Sequence, residues 1–291
     1  MDVLATLLGI AREDPNIRAV LLHGSRAFGE VDAYSDYDVV LATVSNEPYL
    51  AGEDADALDD TLVARLVRAF GEIAVAQTPD NGDPHEFFTQ LLQFAGGLRV
   101  DLTCRPVAAL LRDGPESATV VLLDRDGRFA DTPPPSDADF WLTPPDAAAF
   151  ALHRNEFWWC APYVAKAVTR HQLPHALELL ADPVRGEYAT MLAWLAGARH
   201  DWHAVNPGKH LSRLTRYLAE NDATFVDAWL ASYVSAHPPG IRAALDGLMS
   251  AYGPLATTVA GLLGYDDDPA EGERTRRLIS DVFPALDTPT A

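Results

Sequence analysis

Two aspartates one residue apart, Asp36 and Asp38, stand at the head of an apolar run and are the side chains best suited to chemistry. Because successive side chains of a strand alternate between its faces, both carboxylates are predicted to lie on one face. Two carboxylates held together repel each other unless a cation joins them, and their hard oxygen atoms suit Mg²⁺. The pair therefore predicts a divalent-metal site. The alternative is a solvated turn ahead of a strand, since two acids at this spacing are common.

A glycine–serine pair precedes these acids, with Ser25 eleven positions before Asp36. Gly24 allows backbone amides to approach an anion closely, and the hydroxyl of Ser25 adds a donor. Arg26 follows directly. Metal-binding carboxylates beside a phosphate-binding turn indicate nucleotidyl transfer.

A third acid, Asp101, stands in the middle of another short apolar segment, residues 97–104. If that segment is a strand beside the first, its carboxylate completes a cluster with Asp36 and Asp38. Three carboxylates can hold two Mg²⁺ ions, which clamp the attacking and leaving oxygens of an in-line displacement at phosphorus. The alternative is that Asp101 lies in an edge strand and simply faces water.

The elements that must position these acids follow from the hydrophobic pattern. We predict, in order, a helix over about 2–13, a strand at Val20–Leu22, a strand from Asp38 to about Val44, a helix over Asp59–Gly71, a strand at Phe87–Phe94, the Asp101 strand ended by Pro106, and a strand at Val120–Leu123. Proline-rich segments at 132–136 and 143–145 mark a boundary. Beyond them the pattern is helical, including a final helix over about Glu271–Phe283 and a frayed end. The prediction is an α+β protein, with a mixed-sheet domain over 1–135 and an α-helical bundle over 136–291.

One predicted helix of the second half has a polar and aromatic face, formed by Glu156, Trp159, Tyr163 and Lys166. Pro162 is expected to kink this helix. The alternative is an amphipathic bundle helix with its aromatic side chains in the core, which is favoured for Trp158.

A second segment is predicted to open a helix at Pro207-Gly208. Lys209, Arg213 and Arg216, at positions i, i+4 and i+7, would form a cationic stripe at the positive end of that helix, which suits a triphosphate. The alternative is a solvated basic face. Lysine is rare in this chain, which has two lysines against twenty arginines.

The chain has 291 residues, a net charge of −20 and a mean hydropathy of −0.04. This acidity argues against a nucleic-acid partner and is compatible with a cationic small molecule. The alternative, favoured for most of the acidity, is that it reflects solubility or genome composition. No apolar run is long enough to span a bilayer, and the first residues lack the basic start of a signal peptide. Cys104 and Cys160 lack metal or disulfide spacing, so we expect a cytoplasmic protein without a membrane partner.

Several stretches together make a resemblance. They are Gly24-Ser25-Arg26 with Asp36-Tyr37-Asp38, Val100-Asp101-Leu102-Thr103, Asn155-Glu156-Phe157-Trp158 with Pro162-Tyr163-Val164 and Lys166, Met191-Leu192-Ala193-Trp194, and Gly208-Lys209 before Arg216-Tyr217. The chain resembles the aminoglycoside 6-adenylyltransferases, also called streptomycin adenylyltransferases, of the polymerase-β-like nucleotidyltransferase superfamily. The match runs from about residue 1 to 265. It departs from the family pattern after Lys209 and at Gly186.

The resemblance implies a polymerase-β-like nucleotidyltransferase domain and a helical substrate domain, with ATP and Mg²⁺ between them. It implies transfer of AMP to a hydroxyl of an aminoglycoside, streptomycin first, with release of pyrophosphate. Asp36, Asp38 and Asp101 are then the catalytic metal ligands. Gly24 and Ser25, with Arg26, Lys209 and Tyr217, are expected to bind the nucleotide. Either Asp101 or Glu187 would take the proton of the hydroxyl.

A cationic acceptor requires carboxylates, and the second half offers Glu156, Glu178, Asp182 and Glu187. Trp159 and Tyr163 could stack on the acceptor, with Lys166 on the same helix face. The alternative for each acid alone is a solvated surface charge.

Three other functions fit the same residues. The first is adenylylation of a different small molecule or of a protein. The second is a catalytically silent nucleotide-binding protein, which the intact aspartates disfavour. The third is a minimal antitoxin-like interaction protein, which would not require the long helical half.

Overall fold

The computed structural model describes residues 2–29, 31–50 and 61–283. The chain divides into two compact units, Met1–Asp139 and Phe140–Ala291. Among the described residues, no helix has both the length and the apolar composition that crossing a bilayer requires.

The first unit is built on a six-stranded mixed sheet. Its strands are β1 (Ile17–His23), β2 (Tyr37–Thr43), β3 (Ile73–Gln77), β4 (Phe88–Phe94), β5 (Arg99–Pro106) and β6 (Val120–Asp124). Its helices are α1 (Val3–Glu13), α2 (Ser25–Phe28), α3 (Glu47–Leu50), α4 (Leu62–Phe70) and α5 (Val107–Asp113). The strand order is β3-β4-β5-β2-β1-β6; β2 and β5 are parallel and every other pair is antiparallel. The predicted mixed sheet with helices is confirmed.

The neighbouring interior strands β1 and β2 are buried on both faces. Leu22 and Val39 lie on one face, in a core shared with α1 and α4, whereas Leu21 and Val40 lie on the other, with Leu110 of α5. Because side chains alternate, Asp38 shares the second face with Val40. Asp38 is therefore carried by a strand that the core fixes from both sides.

Four elements of this unit, the short helices α2 and α3 together with β3 and α5, are absent from the sequence prediction. Strand β3 was not predicted, because it is an edge strand with mostly exposed side chains and so lacks a burial pattern. Helix α5 was also missed, because Pro106 ends β5 and at the same time precedes the first turn of α5. A helix is predicted over Asp59–Gly71, of which 59–60 lie outside the described residues. Helix α4 begins after Thr61, whose hydroxyl accepts a hydrogen bond from the amide of Ala64.

The second unit is helical, as predicted. Its helices are α6 (Ala147–Thr169), α7 (Leu173–Leu179), α8 (Gly186–Arg199), α9 (Ala223–Ala231), α10 (Pro238–Leu263) and α11 (Pro269–Val282). The predicted frayed end beyond residue 283 lies outside the described residues. Helices α6, α8 and α10 pack on one another around the core, where the ring of Phe157 stacks on Tyr252 with centroids 3.6 Å apart. Trp158 is buried, which confirms its predicted place in the core. Helix α6 continues through Pro162 rather than ending there.

Candidate active site

Three carboxylates converge at one end of the sheet. Asp36 directly precedes β2, Asp38 is its second residue, and Asp101 is the third residue of β5. One oxygen from each of the three lies within 4.8 Å of the other two. We call Asp36, Asp38 and Asp101 the acidic triad.

The register of the parallel pair β2–β5 explains this convergence. Asp38 and Asp101 are direct partners across the ladder, so their side chains leave the same face at the same level. Strand β5 lies between β4 and β2. The alternative that Asp101 faces water from an edge strand is therefore wrong.

The close approach of the backbone at position 24 to the Asp38 carboxylate requires a glycine there. A Cβ atom placed on Gly24 would lie 2.3 Å from Oδ2 of Asp38, and the φ of Gly24 is +67°. Any other residue would collide with this carboxylate and strain the backbone. Glycine thus allows β1 to turn into α2 directly against the triad, with Ser25 as the first residue of α2.

Arg26 anchors the start of β2. Its guanidinium donates to the backbone carbonyls of Asp36 at 2.8 Å and Ser35 at 2.7 Å, and lies 3.7 Å from the ring centroid of Tyr37. These contacts hold the chain that carries Asp36. The structure thus gives Arg26 a positioning role, and its predicted contact with phosphate stays a prediction.

The three carboxylates of the triad repel one another. The pKa of Asp38 is raised to about 6, by burial first and then by the charges of Asp36 and Asp101. The nearby Arg99 guanidinium opposes this rise. Three hard oxygen donors at this spacing, one of them with a raised pKa, fit Mg²⁺.

Arg99 was not found by sequence reasoning. Its Nε donates to Oδ1 of Asp101 at 2.9 Å and a terminal nitrogen donates to Oδ2 at 2.7 Å, while Nε lies 3.5 Å from Oδ2 of Asp36. The available signal was its position two residues before Asp101, which places both on one strand face.

A cavity of about 230 Å³ adjoins Asp38 and Asp101 on the face covered by α5. His23 and Arg105 line it, and His23 Nε2 and Arg105 Nε are buried without a hydrogen-bond partner among the described residues. Burial lowers the pKa of His23, which favours a neutral imidazole there. The sequence prediction gave neither residue a role, although His23 directly precedes Gly24.

In the helical unit, two of the predicted acceptor-binding acids, Glu156 and Asp182, act on a third, Glu187. The pKa of Glu187 is raised by burial first, and also by the charges of Glu156 and Asp182. His153 is hydrogen-bonded to Glu187 at 2.7 Å, and the thiol of Cys160 donates to Glu156 at 3.2 Å. We call Glu156, Asp182 and Glu187 the acidic group of the helical unit.

Gly186, a departure from the family pattern, lies beside this group. A Cβ atom there would be 3.3 Å from Oδ1 of Asp182, so glycine leaves room for the carboxylate at the start of α8. Glu178 is exposed on α7, and nothing in the described residues links it to the acidic group.

The predicted aromatic face of α6 is present. Trp159 is 62% exposed, its ring meets that of Tyr163 edge-on at 6.2 Å, and Nζ of Lys166 lies 4.7 Å from the Tyr163 centroid. The aromatic faces are thus available, although Lys166 already covers part of Tyr163.

The helix predicted from Lys209 is wrong. Residues 209–217 form two short 3₁₀ turns, Lys209–Leu211 and Leu214–Tyr217, and His210 and Leu211 have positive φ. The α-helical spacing of Lys209, Arg213 and Arg216 therefore does not produce a stripe. Tyr217 is half-buried, and its hydroxyl accepts from the amide of Asn206 at 3.3 Å. The roles of Lys209 and Tyr217 with nucleotide stay predictions.

Comparison with known proteins identifies the family. The sequence pattern of a family described as "Streptomycin adenylyltransferase" matches residues 1–282. The chain belongs to this family. It is therefore a nucleotidyltransferase enzyme, as predicted.

Relatives from two bacteria are similar over most of the chain. An aminoglycoside 6-adenylyltransferase of Campylobacter jejuni is 26% identical over 91% of this chain and 89% of its own length. One of Bacillus subtilis is 26% identical over 76% of this chain and 77% of its own. A crystal structure of an aminoglycoside 6-adenyltransferase from Bacillus subtilis covers 97% of both chains at 20% identity, with a TM-score of 0.46. The family assignment rests on the sequence match.

Proposed function

We propose that this protein transfers AMP from Mg-ATP to a hydroxyl of an aminoglycoside such as streptomycin and releases pyrophosphate. The observation that carries the proposal is the convergence of Asp36, Asp38 and Asp101 beside the Gly24–Ser25 turn. The relatives named as aminoglycoside 6-adenylyltransferases support the choice of acceptor.

The acidic triad would hold Mg²⁺, which would neutralise the charge of the phosphates. Arg26 and Gly24 keep Asp36 and Asp38 in place. Ser25 and the amides at the start of α2 hold the β- and γ-phosphates. The acceptor hydroxyl attacks the α-phosphorus in line, the bond from the α-phosphorus to the oxygen bridging to the β-phosphorus breaks, pyrophosphate leaves, and Asp101 accepts the hydroxyl proton. Positioning accounts for much of the acceleration.

The acceptor chemistry follows from the acidic group of the helical unit. The pKa of Glu187 is raised by burial and by the charges of Glu156 and Asp182, so a cationic ligand would stabilise its charged form. Guanidinium groups pair with carboxylates through two parallel hydrogen bonds. Streptomycin carries such groups. The exposed ring of Trp159 offers a stacking surface for a sugar or a guanidinium plane.

The test is pyrophosphate release from Mg-ATP with a panel of aminoglycosides. We expect turnover with streptomycin and a loss of at least about a hundredfold in Asp38→Asn, because a missing metal ligand removes charge stabilisation at the reacting phosphate. Asp126→Asn is the matched control, since Asp126 pairs with Arg18 at the opposite end of β1, and it should keep wild-type activity.

Silence across the whole panel, with ATP binding retained, would reject the aminoglycoside and leave adenylylation of a different acceptor. Equal turnover in the wild type and Asp38→Asn would reject the acidic triad itself.

A further inference from the structure

The guanidinium of Arg99 contacts two of the three acids of the triad. Both oxygens of Asp101 accept hydrogen bonds from its guanidinium, at 2.9 and 2.7 Å. The same Nε lies 3.5 Å from Oδ2 of Asp36. A positive charge therefore already sits between Asp36 and Asp101, where a cation is required.

The strand imposes this arrangement. Arg99 and Asp101 are i and i+2 on β5, so their side chains leave one face, and β5 is fixed on both sides by β4 and β2. The pair is strong, because a two-pronged arginine–carboxylate contact is both charge-assisted and geometrically matched. The contact also raises the pKa of Arg99, so the group stays charged.

The side chain of Arg99 is nevertheless able to move away from the acidic triad. Its side chain is 46% exposed, whereas that of Asp101 is 16% exposed. A guanidinium that swings into solvent opens no cavity and keeps its hydration. Asp101, in contrast, is held in the ladder opposite Asp38.

A divalent ion and this guanidinium require the same carboxylate oxygens and repel each other at contact distance. We propose that Arg99 is an internal counter-ion that competes with the metal for the acidic triad and is displaced when the metal binds. This inference rests on the proposed metal site. Arg99 thereby keeps the acids together without metal and sets the affinity for the ion.

The test is a titration of the full-length protein with Mn²⁺ alone. Binding is measured by calorimetry and by the loss of the electron paramagnetic resonance signal of free Mn²⁺. Arg99→Gln should bind Mn²⁺ about fivefold more tightly than the wild type, because no ion pair has to be broken first. Arg99→Lys keeps the charge but cannot bridge both oxygens of Asp101, so its affinity for Mn²⁺ should lie between those of the wild type and Arg99→Gln.

Arg18→Gln is the matched control. Arg18 makes a two-pronged contact with Asp126 near the start of β1, so its loss should leave Mn²⁺ affinity unchanged. A second readout is thermal unfolding in EDTA. Arg99→Gln should unfold at a lower temperature than the wild type and gain more from added Mg²⁺, since its triad has no counter-ion.

The outcomes separate the two proposals. Absence of Mn²⁺ binding in both the wild type and Arg99→Gln, or equal binding in Asp38→Asn, would reject the metal site. Binding that depends on Asp38 but is equal or weaker in Arg99→Gln would overturn the role of Arg99 alone. If Arg99→Gln does not fold, Arg99→Lys decides the question by the same titration.

Discussion

Asp38 is the residue at which the charges of the candidate site conflict most. It is partly buried, lies opposite Asp101 in the ladder, and has Asp36 two positions before it on the same face. Gly24 approaches it so closely that no side chain fits between them. A carboxylate kept in this position is destabilised in its charged form, which is expected of a site that functions with a bound cation.

This conflict predicts a pH dependence of stability in EDTA. The pKa of Asp38 is raised to about 6 by burial and by its acidic neighbours. Its pKa in the unfolded chain is about 3.9, so the folded state binds more protons between these values, and the contribution of Asp38 to stability falls as the pH rises from about 4 to about 6. Asp38→Asn should remove this fall and raise the free energy of unfolding at pH 7 by about 1 kcal/mol, after allowance for solvent screening.

Urea denaturation in EDTA across this pH range measures the effect. Asp126→Asn is a control of opposite sign, because Arg18 lowers the pKa of Asp126 and the charged form is the favoured one. A variant Asp38→Asn that is less stable than the wild type at pH 7 would contradict the prediction.

Helix α6 separates two kinds of aromatic residue. Phe157 and Trp158 face the core, and Phe157 stacks on Tyr252 of α10. Trp159 points outward from the same turn and is 62% exposed. The stability and the proposed acceptor binding of the helical unit therefore depend on neighbouring residues of one helix.

A matched pair of substitutions tests this separation. Phe157→Ala should lower the free energy of unfolding by about 3–5 kcal/mol, because it leaves a cavity against Tyr252. Trp159→Ala should leave stability within about 0.5 kcal/mol of the wild type. If the ring of Trp159 stacks on the acceptor, Trp159→Ala should also raise the KM for streptomycin severalfold with little change in kcat. Denaturation and steady-state kinetics measure the two effects, and an unchanged KM in Trp159→Ala would remove that residue from the acceptor site.

The whole chain is strongly acidic, with a net charge of −20. A negative molecule attracts a cationic ligand, and salt screens the attraction of exposed charges within about 8–10 Å at physiological ionic strength. The acidic group formed by Glu156, Asp182 and Glu187 adds a local contribution to this general field.

Salt should therefore weaken acceptor binding. Raising KCl from about 50 to about 300 mM is expected to increase the KM for a cationic aminoglycoside several-fold, while kcat changes little. The control is Glu187→Gln, in which the local contribution is smaller and the salt dependence of KM should be shallower. A KM that is independent of salt in both proteins would show that charge attraction does not govern binding.

Local patterns in the sequence were sufficient for much of this protein. The alternation around Asp36 and Asp38, the apolar strands, the proline-rich boundary and the family resemblance predict a mixed sheet followed by helices, and the enzyme class. These features depend on neighbouring residues, whose spacing determines which faces they share.

Only the tertiary structure could pair Asp38 with Asp101 across a parallel ladder, place Arg99 on both Asp36 and Asp101, and bring His153 to Glu187. Except for the contact of Arg99 with Asp101, these contacts join segments far apart in the chain, and the tertiary fold decides them. The structure also replaced a predicted helix after Gly208 with two 3₁₀ turns, because backbone with positive φ interrupts the helical spacing of Lys209 and Arg213. Spacing along a chain predicts a shared face only where the backbone is regular.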